Sequence, residues 1–269
     1  MEGPVGGGCI HRAHKLRSAD GFFFLKWSTA ADGGLMLAAE AYGLRLLAEA
    51  QVRVPSVIGQ GDGQDGCPAF LLLEWIESRA GFDQAAAGRM MAILHQAAAG
   101  DVYGLDVDNY IGSSPQVNGW LADWVDFFRE RRLRPQMELA ARNGYLLAGR
   151  RRALESFMQR LDDLLGGIPR RPALLHGDLW GGNMIADQSG QPVLIDPAVY
   201  FGDREADLAM TALFGGFSNT FYAAYHEVYP LVDGWRERFR IYNLYHLLNH
   251  LNLFGEGYGS QVDAVVGSM

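Results

Sequence analysis

His176-Gly177-Asp178-Leu179-Trp180-Gly181-Gly182-Asn183, followed 13 positions later by Asp196 within Leu194-Ile195-Asp196-Pro197, is the stretch on which the reading of this chain turns. It brings two carboxylates and one amide to fixed spacing. Transfer of a phosphoryl group to a hydroxyl needs a carboxylate to receive the hydroxyl proton, an Asn five residues later on a metal, and a second Asp bridging metal and phosphates. Asp178, Asn183 and Asp196 have that spacing. Taken singly, Asp and Asn are common caps of turns. Here the eight-residue loop, an intervening hairpin and an apolar strand ending at Asp196 occur together, and turn-capping does not account for the set.

The surroundings support a loop between strands. ALLHG and PVLID read as short strands on either side of the turn-bearing NMIADQSGQ. Before them, residues 83–98 and 120–134 have helical periodicity, the second with Trp120, Trp124, Phe127 and Arg131 at helical spacing. After them, everything from Asp203 reads as helix apart from the Gly215-Gly216 interruption. The first 76 residues differ: HRAHKL, the hairpin signal Asp20-Gly21, FFFLKW, a helix over 35–50 with Leu37, Ala41, Leu44 and Ala48 on one face, then two apolar runs around GQGDGQDGC. That is sheet, helix, sheet.

Lys26 lies in the apolar strand FFFLKW, where a buried ammonium needs an anionic partner. Glu40, on the following helix, is placed to supply it, and such a pair positions the lysine against the α- and β-phosphates of ATP. Gly6, Gly7 and Gly8 precede the first strand and allow backbone N–H groups to approach phosphate oxygens. The run from Phe70 through Glu74 to Ile76 ends where composition shifts, as expected of a hinge whose backbone bonds adenine.

Hydrophobic residues make up 49% and charged residues 20%, ordinary globular proportions. The formal net charge of -8 opposes a general affinity for nucleic acid, so any nucleotide must be held locally. Arginines at 129, 131, 132 and 134, and at 150–152, fall in helical stretches and are expected on solvated faces. Cys9 and Cys67, without CxxC or Cys/His spacing, imply neither a disulfide framework nor a zinc site and fit a reducing cytoplasm. No stretch approaches the roughly 20 apolar residues of a membrane span, and the first residues lack the apolar run of a signal peptide.

With these residues in place, the sequence resembles the fructosamine kinase (ketosamine-3-kinase) family, relatives of aminoglycoside phosphotransferases and choline kinases. The likeness covers nearly the whole chain: GGGCI from Gly6, PAFLLLEWI from Pro68, GLDVDNYIGSSPQVNGWLADWVDFFRERRL from Gly104, LLHGDLWGGN from Leu174, LIDPAVYFGDREADLAM from Leu194 and FGGFSNTFYAAY from Phe214. It implies an α+β, bilobal protein-kinase-like fold. An N-terminal antiparallel-sheet lobe (1–76) would hold the nucleotide, and a mainly helical C-terminal lobe (77–269) would hold the catalytic loop, metal ligands and substrate pocket.

The activity implied is transfer of the ATP γ-phosphate, with Mg2+, to the 3-hydroxyl of a ketosamine, a fructosamine or ribulosamine on a free or protein-bound amine. Phosphate on C3 leaves more readily than hydroxide, and enolisation toward C1 sets up β-elimination that frees the amine, so the implied role is deglycation. By the same resemblance Asp178 is the catalytic base, Asn183 and Asp196 are metal ligands, and Lys26 with Glu40 positions phosphate. Trp180 faces the sugar, unless its ring only packs the loop down. His250, in HLLNHLNLFG, lies near the substrate pocket, unless it is a satisfied core histidine. Asp207 is expected to fix the catalytic loop by hydrogen bonds. Departures are the Gly33-Gly34 start of the first helix and the short chain after Tyr258.

Other readings are distinguishable. A protein kinase would need an activation segment and anchor for which the 73 residues after Asp196 leave little room. An aminoglycoside or choline kinase differs only in pocket residues, and a non-catalytic nucleotide-binding regulator would be expected to lack Asp178 or a metal ligand. Cys9, beside the glycine run, is expected at the edge of the phosphate loop. Oxidation there, as a Cys9–Cys9 bridge, would make the chain a redox-dependent homodimer rather than a monomer.

Overall fold

The structure, a computed structural model, describes residues 12–63, 67–97 and 101–268. Gly6, Gly7, Gly8 and Cys9 lie outside the described residues. Strands β1 (Arg12–Ser18) and β2 (Gly21–Ser28) form a hairpin across Ala19-Asp20, and aromatic Phe22, Phe23 and Phe24 favour the extended chain. Helix α1 (Gly33–Glu49) follows, then β3 (Val57–Gly61) and β4 (Ala69–Glu74). The strands make one antiparallel sheet in the order β1-β2-β4-β3, with Lys26 opposite Leu71 on a central strand. Helix α1 buries Leu37, Ala41, Leu44 and Leu47 against it. Ala48, expected on that face, is exposed, because 3.6 residues per turn carries the stripe from Leu44 to Leu47.

The second lobe begins with α2 (Gln84–Ala97) and a small hairpin of β5 (Asn109–Ile111) and β6 (Ser114–Gln116). The helix expected over 120–134 starts later, at α3 (Trp124–Phe127), where the Asp123 carboxylate accepts from Asp126 N at 2.9 Å. Trp120 lies outside it. A π-helical turn (Phe128–Leu133) then leads into α4 (Arg134–Arg142), followed by α5 (Ala148–Gln159) and α6 (Leu161–Leu165).

Next come the short strands β7 (Ala173–Leu175), β8 (Met184–Ala186), β9 (Pro192–Leu194) and β10 (Tyr200–Gly202). The two strands read from sequence do not pair with each other: β7 pairs with β10, and β9 with β8, inside the segment taken as a turn. Helices α7 (Arg204–Leu213), α8 (Asn219–Val228), α9 (Trp235–Phe254) and α10 (Gly259–Gly267) complete the lobe. Packing of α2 on α8, and of α7 and α4 on α9, encloses a core in which Trp124, Phe127, Phe128, Tyr200 and Tyr242 stack.

Two arginines depart from the solvated faces expected of them. Arg132 is fully buried, stacked 3.8 Å over the Tyr200 ring and donating to Val117 O and Asn118 Oδ1. Arg150 is buried and grips both Glu256 and Asp263. A guanidinium tolerates this because its planar face stacks on rings while its edge donors find fixed acceptors. Arg132 sits in the π-helical turn, whose side chains Phe128, Arg132 and Leu133 are all buried.

Candidate active site

The loop after β7 is built on a backbone that only glycine permits at one point. Gly177 has φ 82°, and a Cβ there would lie 2.0 Å from Ala198 O. His176 is buried: its Nδ1 accepts from Asp178 N at 3.3 Å, and its Nε2–H donates to Ile195 O at 2.9 Å. One imidazole thus ties the loop to the residue beside Asp196. Burial lowers its pKa, favouring that neutral form. From the other side Asp207 on α7 accepts from His176 N at 2.7 Å and Gly177 N at 2.9 Å.

Asn183 Nδ2 donates to Asp178 Oδ2 and to Asp178 O, both at 2.9 Å, which fixes the carboxylate's orientation. Burial raises the Asp178 pKa to about 7, opposed by the Asn183 hydrogen bond and aided by the charges of Asp196 and Asp207. Asp196 has φ 54°, a left-handed conformation that costs a non-glycine residue of the order of 1–3 kcal/mol and is typical of functional positions.

The ammonium of Lys26 meets two acids: Glu40 Oε1 on α1 at 2.8 Å and Asp196 Oδ1 at 2.5 Å. Burial works against the charged lysine, but the two carboxylates more than offset it and hold its pKa above the ordinary value. Burial likewise pushes Glu40 up, opposed by Lys26. Lys26, from the sheet, therefore reaches the segment that carries Asp196. Glu74, at the end of β4, turns its carboxylate onto Arg53 and Ser56, so its side chain braces the end of that strand. Ile76 lies just beyond the sheet, partly buried.

The Trp180 ring is 39% exposed and folds over Gly182, where a Cβ would lie 2.3 Å from it. Its edge meets Phe214 at 6.4 Å, and Phe214 meets the His250 ring at 4.7 Å. His250 Nδ1–H donates to His246 O at 2.8 Å, and burial lowers its pKa. Trp180 and His250 thus belong to one aromatic group beside the loop. Sequence reasoning missed His95, which bridges Tyr225 OH (2.8 Å) and Asp207 (3.2 Å) behind the loop. It also missed Asn109 and Gln116, whose buried amides donate to Val199 O and Ala198 O. A lone histidine on the inner face of α2 offers no sequence signal, whereas the polar run DNYIGSSPQVN is an unusual thing to bury.

A small antiparallel sheet with one helix, set over a helical lobe bearing Asp178, Asn183 and Asp196, defines a protein-kinase-like phosphotransferase fold. A choline kinase of Streptococcus pneumoniae shares it, with TM-score 0.64 at 19% identity over 98% of this chain and 92% of that one. The fructosamine kinase family model matches residues 1–269, and the chain belongs to that family. A Thermobifida fusca structure assigned to fructosamine-3-kinase superposes with TM-score 0.89 at 36% identity, covering 99% of this chain and 92% of that one. The chain is 39% identical to the chloroplastic protein-ribulosamine 3-kinase of Arabidopsis thaliana, covering 98% of this chain and 81% of the relative. It is 35% identical to the ketosamine-3-kinase of Mus musculus, covering 95% and 90%. Among the described residues no helix is long and apolar enough to cross a membrane.

Proposed function

We propose that this protein transfers the γ-phosphate of ATP to the 3-hydroxyl of a ketosamine, with Asp178 as base. The observation that carries the reading is the Lys26–Asp196 contact, which sets a cation from the sheet beside a carboxylate of the helical lobe while Asn183 holds Asp178 next to it. Relatives named for ribulosamine and ketosamine phosphorylation support the acceptor. Residues 1–76 hold the nucleotide, with Lys26 held by Glu40 on the α- and β-phosphates and the backbone between Glu74 and Ile76 on adenine; residues 77–269 hold the acceptor.

The donor set suits magnesium. Asn183 spends its amide nitrogen on Asp178, which leaves its Oδ1 as a hard oxygen donor, and Asp196 brings the carboxylate. Among the described residues no three His, Cys, Asp or Glu side chains are grouped to hold a metal alone. One carboxylate and one amide oxygen match an ion that keeps its waters and takes nucleotide phosphate oxygens. Bound there, magnesium would neutralise charge on the nucleotide phosphates. Asp178 accepts the proton of the attacking hydroxyl, Asn183 keeps its oxygen aimed, and Trp180 and His250 border the sugar. The product phosphate at C3 is a leaving group for β-elimination, so the reaction serves deglycation, in a reducing cytoplasm given the unpatterned cysteines.

The test is turnover with MgATP on ribulosamines, fructosamines, a glycated peptide, choline and an aminoglycoside in parallel. We expect phosphorylation of ketosamines and weak or no turnover of the others. Preference for choline or the aminoglycoside would overturn the assignment of the acceptor.

A further inference from the structure

Most aromatic side chains of the helical lobe are sealed in its core, where Trp124, Phe127 and Phe128 are 2%, 0% and 1% exposed. One group is not. From Trp180 a row of rings runs through Phe214 (6.4 Å) to His250 (4.7 Å), which touches both Phe254 (5.4 Å) and Tyr258 (5.1 Å). Trp180, Phe214 and Phe254 are 39%, 38% and 57% exposed. The row starts inside the catalytic loop, two residues from Asp178, and its inner end is packed: Gly216, beside Phe214, lies so close to Gly181 that a Cβ would come within 2.9 Å of its Cα. Its outer end is held in place by Arg150, which grips Glu256 and Asp263 on either side of Tyr258.

The row's charge is equally specific. No Lys or Arg among the described residues sits over any of its five rings; the chain's ring-bound cations lie elsewhere, as Arg132 over Tyr200 and Arg204 over Tyr229 do. Arg150 is neutralised by its two carboxylates. The site therefore offers electron-rich ring faces and a histidine whose burial disfavours protonation. It suits a group that is cationic and apolar.

A ketosamine has such a group: its C1 nitrogen is a secondary amine, protonated near neutrality, separated by three carbons from the hydroxyl that must face Asp178. We infer that Phe214, Phe254 and Tyr258 of this row form the subsite for the amine half of the acceptor, beyond the sugar that Trp180 and His250 border, and that they select ketosamines whose cationic nitrogen carries an aromatic or other large apolar substituent. The inference rests on the ketosamine reading above. Phe214, Phe254 and Tyr258 become specificity residues, which hold the non-reacting end while the chemistry proceeds at Asp178.

The experiment is steady-state kinetics of the full chain on the fructose adducts of benzylamine, methylamine and glycine. The expected order of kcat/KM is benzylamine, methylamine, glycine, because the row offers aromatic faces with no Lys or Arg among the described residues over them. The benzylamine adduct should exceed the methylamine adduct by about tenfold, carried by KM. Phe254→Ala, at an exposed position, should bring that ratio to within about twofold of one, and Phe254→Trp should keep it. A wild-type ratio at or below one, or a ratio unchanged in Phe254→Ala, overturns the inference and leaves the kinase reading standing. Turnover of neither these three adducts nor their ribulose counterparts removes both.

Discussion

As the proposed base, Asp178 faces two demands that ordinarily conflict. A base must be unprotonated to accept a proton, yet burial favours its protonated form, and here burial takes the carboxyl to about pH 7. Because kcat/KM for ATP reports groups of the free enzyme, it should fall toward tenfold per unit as pH drops below 7, where the base is increasingly protonated. A profile flat from pH 8 to 5.5 would take Asp178 out of that role. Replacing it by Asn should leave the fold and ATP binding near normal and lower kcat by about 100-fold or more, measured by coupled assay and calorimetry. Gly177 is constrained differently. Gly177→Ala would drive a Cβ into Ala198 O, so we expect a lower Tm and little activity even though no functional group is lost.

At the scale of elements, α9 carries its own pH response. His246 is buried, and burial, with the charge of His250 and Arg132, takes its pKa down to about 3. In the unfolded chain it takes up a proton near pH 6.5; in the folded protein it does so only near 3. Its contribution to stability is therefore complete above pH 6.5 and is lost as pH falls toward 3, at up to about 1.4 kcal/mol per unit. His176, also lowered by burial, acts in the same direction, while Asp178, raised, acts in the opposite one. Urea titrations at pH 7.5, 6 and 5 should show wild type losing stability faster than His246→Gln; parallel losses would contradict this.

What the sequence made legible followed from local chemistry. The first sheet and α1 could be read because their periodicity is clean and their turn, Asp20-Gly21, is a strong signal. The loop from His176 to Asn183 could be singled out because its side-chain types and spacings are those that phosphoryl transfer needs. The strands β7 to β10 are three residues each, too short for alternation to show which pairs with which, and long-range partners set the pairing instead. The buried Arg132 was hidden for a related reason: a π-helical turn breaks the 3.6-residue pattern on which inside and outside are judged. The His95 brace is invisible to any local pattern, since it is made between α2, α7 and α8.

For the molecule as a whole, the contact between Lys26 and Asp196 joins the sheet to the helical lobe, helped by Leu194 N donating to Arg53 O at 3.0 Å. A ligand that engages both sides binds only the folded protein. MgATP at 100 times its Kd should therefore raise stability by about 2.7 kcal/mol, read as an increase in Tm. Asp196→Ala should abolish the magnesium-dependent part of that increase; an equal shift in both proteins would show that Asp196 does not hold the metal.

The same contact bears on how a spent nucleotide departs. With the site occupied as proposed, Lys26 would face phosphate and Asp196 metal; at 2.5 Å the ammonium and the carboxylate are close enough to satisfy each other when both ligands depart. Departure thus strands no bare charge in a low-dielectric cleft, a condition that costs several kcal/mol per ion where no partner is at hand. The cleft resets itself. In an enzyme whose cycle is limited by release, that recoil shows up as turnover number rather than as grip.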